Sequence, residues 1–113
     1  MSDFTIHKLN VKLLDGIDAS QTSVASSPLN VQSISFFSYQ ITWTGFTATS
    51  PVVTILASNS LSEQFIAIDS FIPTGTTGGR LINVEKAGYA FVKVTYSCAT
   101  GAGTLTASIN GKV

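Results

Sequence analysis

Four large apolar residues, Phe37, Tyr39, Ile41 and Trp43, alternate with Ser38, Gln40, Thr42 and Thr44 in one unbroken stretch. A period of two sends successive side chains to opposite faces of an extended chain. One face is therefore bulky and apolar, and the other is rich in hydroxyls and amides. No helix fits that spacing. The stretch also holds the chain's single Trp, so it is assigned as a central strand from about Ser33 to Thr44. Ile34 and Phe36 precede it on the opposite parity. Either a bulge near Phe37 resets the register, or these two side chains point out of the core.

The same alternation recurs along the chain. Phe4 to Leu14 predicts a strand with Leu9, Val11 and Leu13 facing inward, and Asp15-Gly16 reads as a turn. Ser, Thr, Ala and Gln dominate Ile17 to Pro28, where Val24 marks a short edge strand. Leu29 to Val31 is a second short extended piece, and Gly45 to Pro51 is a turn or short loop. Val52 to Ser58 is apolar on both parities, with Val53, Ile55 and Ala57 on one and Val52 and Leu56 on the other. That pattern belongs to a strand covered on both sides. Phe65 to Ile68 is a short strand, Pro73 to Gly79 a flexible loop, and Arg80 to Val84 a strand with Ile82 and Val84 in phase.

Lys86-Ala87-Gly88 turns the chain into Tyr89 to Ser97, where Val92, Val94 and Tyr96 share a face. Leu105, Ala107 and Ile109 do the same in Thr104 to Asn110. A connection of hairpin length separates these last two runs, so they are expected to pair antiparallel. No stretch shows a helical period. The reading is an all-β chain: an antiparallel β-sandwich, jelly-roll-like, of seven to eight strands, with residues 1–113 forming a single domain.

Charge narrows the partners. Only 11% of the 113 residues are charged, against about 25% in an average soluble protein. Six Lys and Arg balance six Asp and Glu, so the chain lacks the basic footprint of a nucleic-acid or membrane-surface binder. No charged leader with an apolar run opens the sequence, and no apolar run is long enough to span a bilayer. Folding in a cytosol is expected. Cys98 is the single cysteine, which rules out an intrachain disulfide and suits a small core residue. The shortage of charge points to a surface covered by copies of the chain or by a larger assembly.

Chemistry finds little support. His7 is the lone histidine, and no Gly-x-Ser-x-Gly elbow exists. Asp3, Asp15, Asp18, Glu63, Asp69 and Glu85 are scattered; Asp69 and Glu85 are the pair that two facing sheets could bring together. A glycosidase needs two carboxylates facing one sugar bond, and nothing in this spacing favours that. Gly75, Gly78 and Gly79 lead into a strand rather than a helix, so they build no phosphate cradle. No catalysis, cofactor or metal is expected. Tyr39 and Trp43 are assigned to the core, while Phe46 and Phe71 fall at loops and are the exposed candidates for stacking on a sugar. A two-sheet sandwich buries one face per strand. The second apolar sets, Ile34 with Phe36 and Val52 with Leu56, must therefore meet something else. The candidate interface is Ile34, Phe36, Phe46, Val52, Leu56 and Phe71.

The order of these runs carries a resemblance. Tyr39-Gln40-Ile41-Thr42-Trp43-Thr44-Gly45 is followed by Val53-Thr54-Ile55-Leu56-Ala57-Ser58-Asn59, then by Phe65-Ile66-Ala67-Ile68 and Gly88-Tyr89-Ala90-Phe91-Val92-Lys93-Val94-Thr95-Tyr96. Gly101-Ala102-Gly103-Thr104-Leu105 through Ile109-Asn110-Gly111-Lys112 closes the series. Over residues 28–113 this resembles small β-sandwich virion proteins of tailed bacteriophages. Ser60 stands where that group has an aspartate, and Lys93 where it has an arginine. The resemblance implies a non-enzymatic structural role on the virion, as capsid decoration, head fibre or tail accessory. It implies other virion proteins as partners; the low charge and the second apolar sets add the expectation of a homo-oligomer, with a trimer expected by analogy. Residues 1–27 lie outside it and are assigned as an attachment or oligomerisation arm. The alternative is a carbohydrate- or receptor-binding module of the same fold, with a glycan as ligand.

Overall fold

The computed structural model describes residues 8–32, 34, 36–84 and 90–112. They form β1 (Lys8–Asp18), β2 (Ser23–Ala25), β3 (Leu29–Asn30), β4 (Phe36–Thr49), β5 (Val52–Ser58), β6 (Ile66–Phe71), β7 (Gly78–Val84), β8 (Phe91–Ser97) and β9 (Thr100–Lys112). The pairings nest. β5 pairs with β6, β4 with β7, β2 and β3 with β8, and β1 with β9, all antiparallel. Folding this nested ribbon over itself gives two sheets. Sheet A runs β1-β9-β4-β7, and sheet B runs β2-β8-β5-β6 with β3 also on β8. The fold is the expected jelly-roll-like antiparallel sandwich, with nine strands among the described residues rather than seven to eight.

The alternation of β4 does what its period requires. Phe37, Tyr39, Ile41 and Trp43 are buried, and Gln40, Thr42 and Thr44 are exposed. Val53, Ile55 and Ala57 of β5, Val92, Val94 and Tyr96 of β8, and Leu105, Ala107 and Ile109 of β9 complete one core cluster. Residues 8–25 belong to the sandwich, because β1 lines β9 and β2 lines β8.

Three expectations are corrected. The runs 89–97 and 104–110 do not form a hairpin. β8 joins β5 in sheet B and β9 joins β4 in sheet A. Cys98 and Ala99 carry the chain from one sheet to the other, and Ala99 N donates to Thr49 O at 2.9 Å. An apolar face on each strand fits a hairpin and a crossing equally, and here each strand finds its partner in a different sheet, β5 for β8 and β4 for β9.

Gly45 to Pro51 is not a loop. β4 continues to Thr49 with a register shift between Thr44 and Thr47 against β9. Gly45 takes a φ of +57° there, which L-residues with a Cβ adopt at a cost. The extra residue switches the inward parity from odd to even. Phe46 thereby enters the core at 3% exposure.

Asp15-Gly16 is not a turn either. β1 runs through it with register shifts between Lys12 and Leu14 and between Leu14 and Ile17. Gly16 has a φ of +60°, and its N–H donates to Thr106 Oγ1 at 3.0 Å. The first shift brings Leu14 into the core, while Val11 and Leu13 pack partly buried against it. The Leu9 side chain lies outside the described set, as do His7, Glu85 and Tyr89.

Candidate functional site

The six candidate interface residues do not form one patch. Ile34, Phe46 and Phe71 are buried at 6%, 3% and 8% exposure. Ile34 follows a short turn in which its N–H donates to Val31 O at 3.0 Å. Its Cγ2 packs so close over Gly111 that a Cβ there would lie 2.7 Å away. Phe71 ends β6 opposite Val53 and is not in a loop. The expected exposed pair for sugar stacking, Phe46 and Phe71, is thus part of an internal aromatic cluster with Trp43 and Tyr96, whose ring centroids stand 6.1–6.3 Å apart. Phe36 is exposed at 39% on the outer side of sheet A, while Val52 and Leu56 are half-buried on the outer side of sheet B. The two second apolar sets therefore lie on opposite sides of the sandwich.

The outer side of sheet A is polar, and its centre across β4 and β9 carries no charged side chain, while Lys12 of β1 stands at its margin opposite Ser108. Across β4 and β9, Ser38 sits opposite Asn110, Gln40 opposite Ser108, Thr42 opposite Thr106 and Thr44 opposite Thr104. Directly opposed side chains in an antiparallel pair share a face. Thr44 and Thr104 hydroxyls bond at 2.8 Å, and Ser108 Oγ donates to Gln40 O at 3.4 Å. β7 adds Asn83 beside Ser38 and Leu81 beside Gln40. Leu81 is 64% exposed. The alternation of β4 announced this face.

The outer side of sheet B differs. Leu56 lies between Lys93 on β8 and Ala67 on β6. The Lys93 ammonium sits 4.6 Å from the centroid of the half-buried Phe65 ring. A cation over an aromatic face is attracted by the ring quadrupole. Lys93 thus covers apolar surface with its stem and keeps its charge at the rim.

The remaining feature is the flank where β6 and β7, the edges of opposite sheets, stand side by side. A cleft of about 280 Å³ opens between them, lined by Tyr39, Ile55, Ile68, Asp69, Ile82, Asn83 and Val84. β6 bulges next to this cleft, with a register shift between its partners Ile55 and Leu56. Asp69 Oδ1 accepts the Ser70 N–H at 2.8 Å. Among the described residues the ion pair is Lys12 with Asp15, at 3.6 Å, and Asp69 takes no part in one. Arg80 of β7 lies over the Phe71 ring at 5.0 Å. The connection between the strands closes the end of the flank, where Trp43 Nε1 donates to Thr74 O at 3.1 Å and Phe46 N to Thr76 O at 2.9 Å.

Sequence reasoning missed this flank. Its signal was Leu81, an apolar residue out of phase with Ile82 and Val84 on a short strand.

The arrangement assembles no reaction centre among the described residues. No group of three or more His, Cys, Asp or Glu side chains comes together there to hold a metal. Cys98 is buried, as expected, and its Sγ lies 3.5 Å from Ala19 O and 3.4 Å from Gln21 O. Tyr96 Oη donates to Ala19 O at 2.9 Å. Burial, with a smaller contribution from the Cys98 thiol, pushes this phenol up from its ordinary value. Two backbone N–H groups, by contrast, serve a carboxylate and a hydroxyl at exposed turns: Ser20 N bonds Asp18 Oδ1 at 2.9 Å, and Ser62 N bonds Ser60 Oγ at 3.2 Å.

No protein-family model matches the chain. No curated protein matches it either. Solved structures share its fold. The SPBc2 prophage-derived protein YomS aligns over 100% of this chain and 99% of its own, with a TM-score of 0.62 and 15% identity. A Bacillus endospore appendage protein, from a family of disulfide-linked pili, aligns over 100% and 95%, at 0.55 and 15%. The K1 cleaved adhesin domain of Lys-gingipain from Porphyromonas gingivalis W83 aligns over 94% and 98%, at 0.54 and 8%. At these identities the likeness is one of fold.

Proposed function

We propose that this chain is a non-enzymatic structural protein of a bacteriophage particle, mounted on the head as decoration or on the tail as an accessory. The observation that carries this reading is the uncharged β4–β9 centre of the outer face of sheet A, with Lys12 of β1 at its margin opposite Ser108. Ser38, Gln40, Thr42, Thr44, Thr104, Thr106, Ser108 and Asn110 place donors and acceptors on two adjacent central strands, with no charged side chain among them. The cores of protein–protein contacts are depleted of charge in the same way. The full-length likeness to a prophage-derived protein supports the same reading. So does the likeness to an appendage protein that assembles into pili. The disulfide linking of those pili has no surface counterpart here, because Cys98 is buried. Partners are then other virion proteins and further copies of the chain, and its place is the virion.

Co-sedimentation tests this role. The purified chain should pellet with phage particles depleted of it. Thr42→Lys, which charges the centre of the neutral face, should stay in the supernatant while keeping a native melting curve. A chain that never pellets contradicts the proposal.

A second reading, a glycan- or receptor-binding module, draws on the same hydroxyl and amide face and on the adhesin-domain likeness. Phe46 and Phe71 take no part in it, because both are buried. A glycan array on which Gln40→Ala abolishes a specific signal would favour it.

A further inference from the structure

We propose that β7 is a self-pairing edge, through which two copies of the chain join antiparallel about a two-fold axis at Leu81. This inference does not depend on the particle reading.

An edge strand offers a row of unused N–H and C=O groups, and natural sandwiches blunt such edges. Three edges here are blunted. β1 carries two register shifts. β2 and β3 have three and two residues. β6 is bulged and places Asp69 on the cleft. β7 is different. It pairs with β4 through seven consecutive residues without a shift and contains no proline. Among the described residues it has β4 as its one strand neighbour. Leu81, at its centre, is 64% exposed. An unblunted, regular, apolar edge is the template for adding a strand.

The occupant follows from the sequence of β7. One antiparallel register pairs all seven residues of Gly78–Val84 with the same seven of a second copy, and it is centred on Leu81. It sets Leu81 against Leu81, Arg80 against Ile82, Gly79 against Asn83, and Gly78 against Val84. No like charges oppose each other. Opposed residues share a face, so both copies keep their cores on the same side of an eight-stranded sheet.

Arg80 of the second copy then stands opposite Ile82, at the mouth of the cleft that Ile82 and Asp69 line. Asp69, which has no ion pair among the described residues of its own chain, faces a cation of the other. A two-fold axis closes the pair and stops further growth at this edge.

Four experiments test the proposal. In light scattering from micromolar to millimolar concentration, the chain should approach twice 11.9 kDa. Leu81→Cys should cross-link to a dimer under mild oxidation, whereas Asn10→Cys, on the opposite edge of the same sheet, should not. Leu81→Lys sets two cations against each other on an exposed site, and should give a monomer with unchanged circular dichroism. Asp69→Asn should weaken the dimer several-fold and reduce its salt dependence. The proposal is overturned by a monomer at every concentration, by a trimer or larger ring, by a dimer that survives Leu81→Lys, or by cross-linking equally fast from position 10.

Discussion

Trp43 on β4 and Phe71 on β6 meet across the two sheets, with ring centroids 6.1 Å apart and planes inclined by 33°. Trp43 is 5% exposed, and its indole N–H is taken by Thr74 O at 3.1 Å. One side chain thus ties sheet A, sheet B and the connection after β6.

Trp43→Ala should therefore cost about 3–5 kcal/mol, the range for truncating a buried aromatic. Small domains have roughly 5–15 kcal/mol in total, so the variant should lie near the limit of folding. Urea melts measure this. A loss under about 1 kcal/mol would show that Trp43 does not hold the sheets together.

Gly45 and Gly103 give a graded test of the bulge. A Cβ on Gly45 meets nothing within 4 Å, so Gly45→Ala pays only for its φ of +57°, about 1–2 kcal/mol. A Cβ on Gly103 would lie 2.5 Å from Gly45 O, at a φ of +102°. Gly103→Ala should cost more, because backbone must shift. Equal urea midpoints for the two variants would contradict this geometry.

Tyr96 sets an alkaline limit. Its phenol is held neutral by burial, with its value raised above the ordinary 10.0. The unfolded chain releases that proton near pH 10 while the folded chain keeps it. The unfolded state then binds fewer protons, so stability falls as pH rises past that point. Tyr96→Phe should flatten this alkaline loss and cost about 1 kcal/mol at neutral pH for the bond to Ala19 O. Melts across that range decide it. An alkaline loss of full size in Tyr96→Phe would place its origin elsewhere.

How much of this was legible in the sequence depends on which residues are asked. Phe37, Tyr39, Ile41 and Trp43 could be read at once, because burial of one sheet face enforces a period of two. Val24 also lies in the short strand its neighbours suggested, and Cys98 is buried, though in the connection between β8 and β9 and not within a strand. Phe46 could not be read, because a bulge is a relation between two strands. The shift at Gly45 exists only against β9, and one strand's sequence does not name its partner. The β8–β9 corner failed for a related reason. A short connection looks the same whether it folds back within a sheet or crosses to the other. Asp69 and Ser70 break the apolar run before Phe71, yet both pair in register with β5, and the extra residue of the bulge is Ile68. The neutral face was visible as alternation, but the cleft was not, since it is made by two edges that never pair.

The most direct measurement is quantitative mass spectrometry of purified phage particles. The account predicts this chain at tens or hundreds of copies per particle if it decorates the head, and at a few copies if it serves the tail. Its absence from washed particles, with the chain abundant in the infected cell, would contradict the structural role.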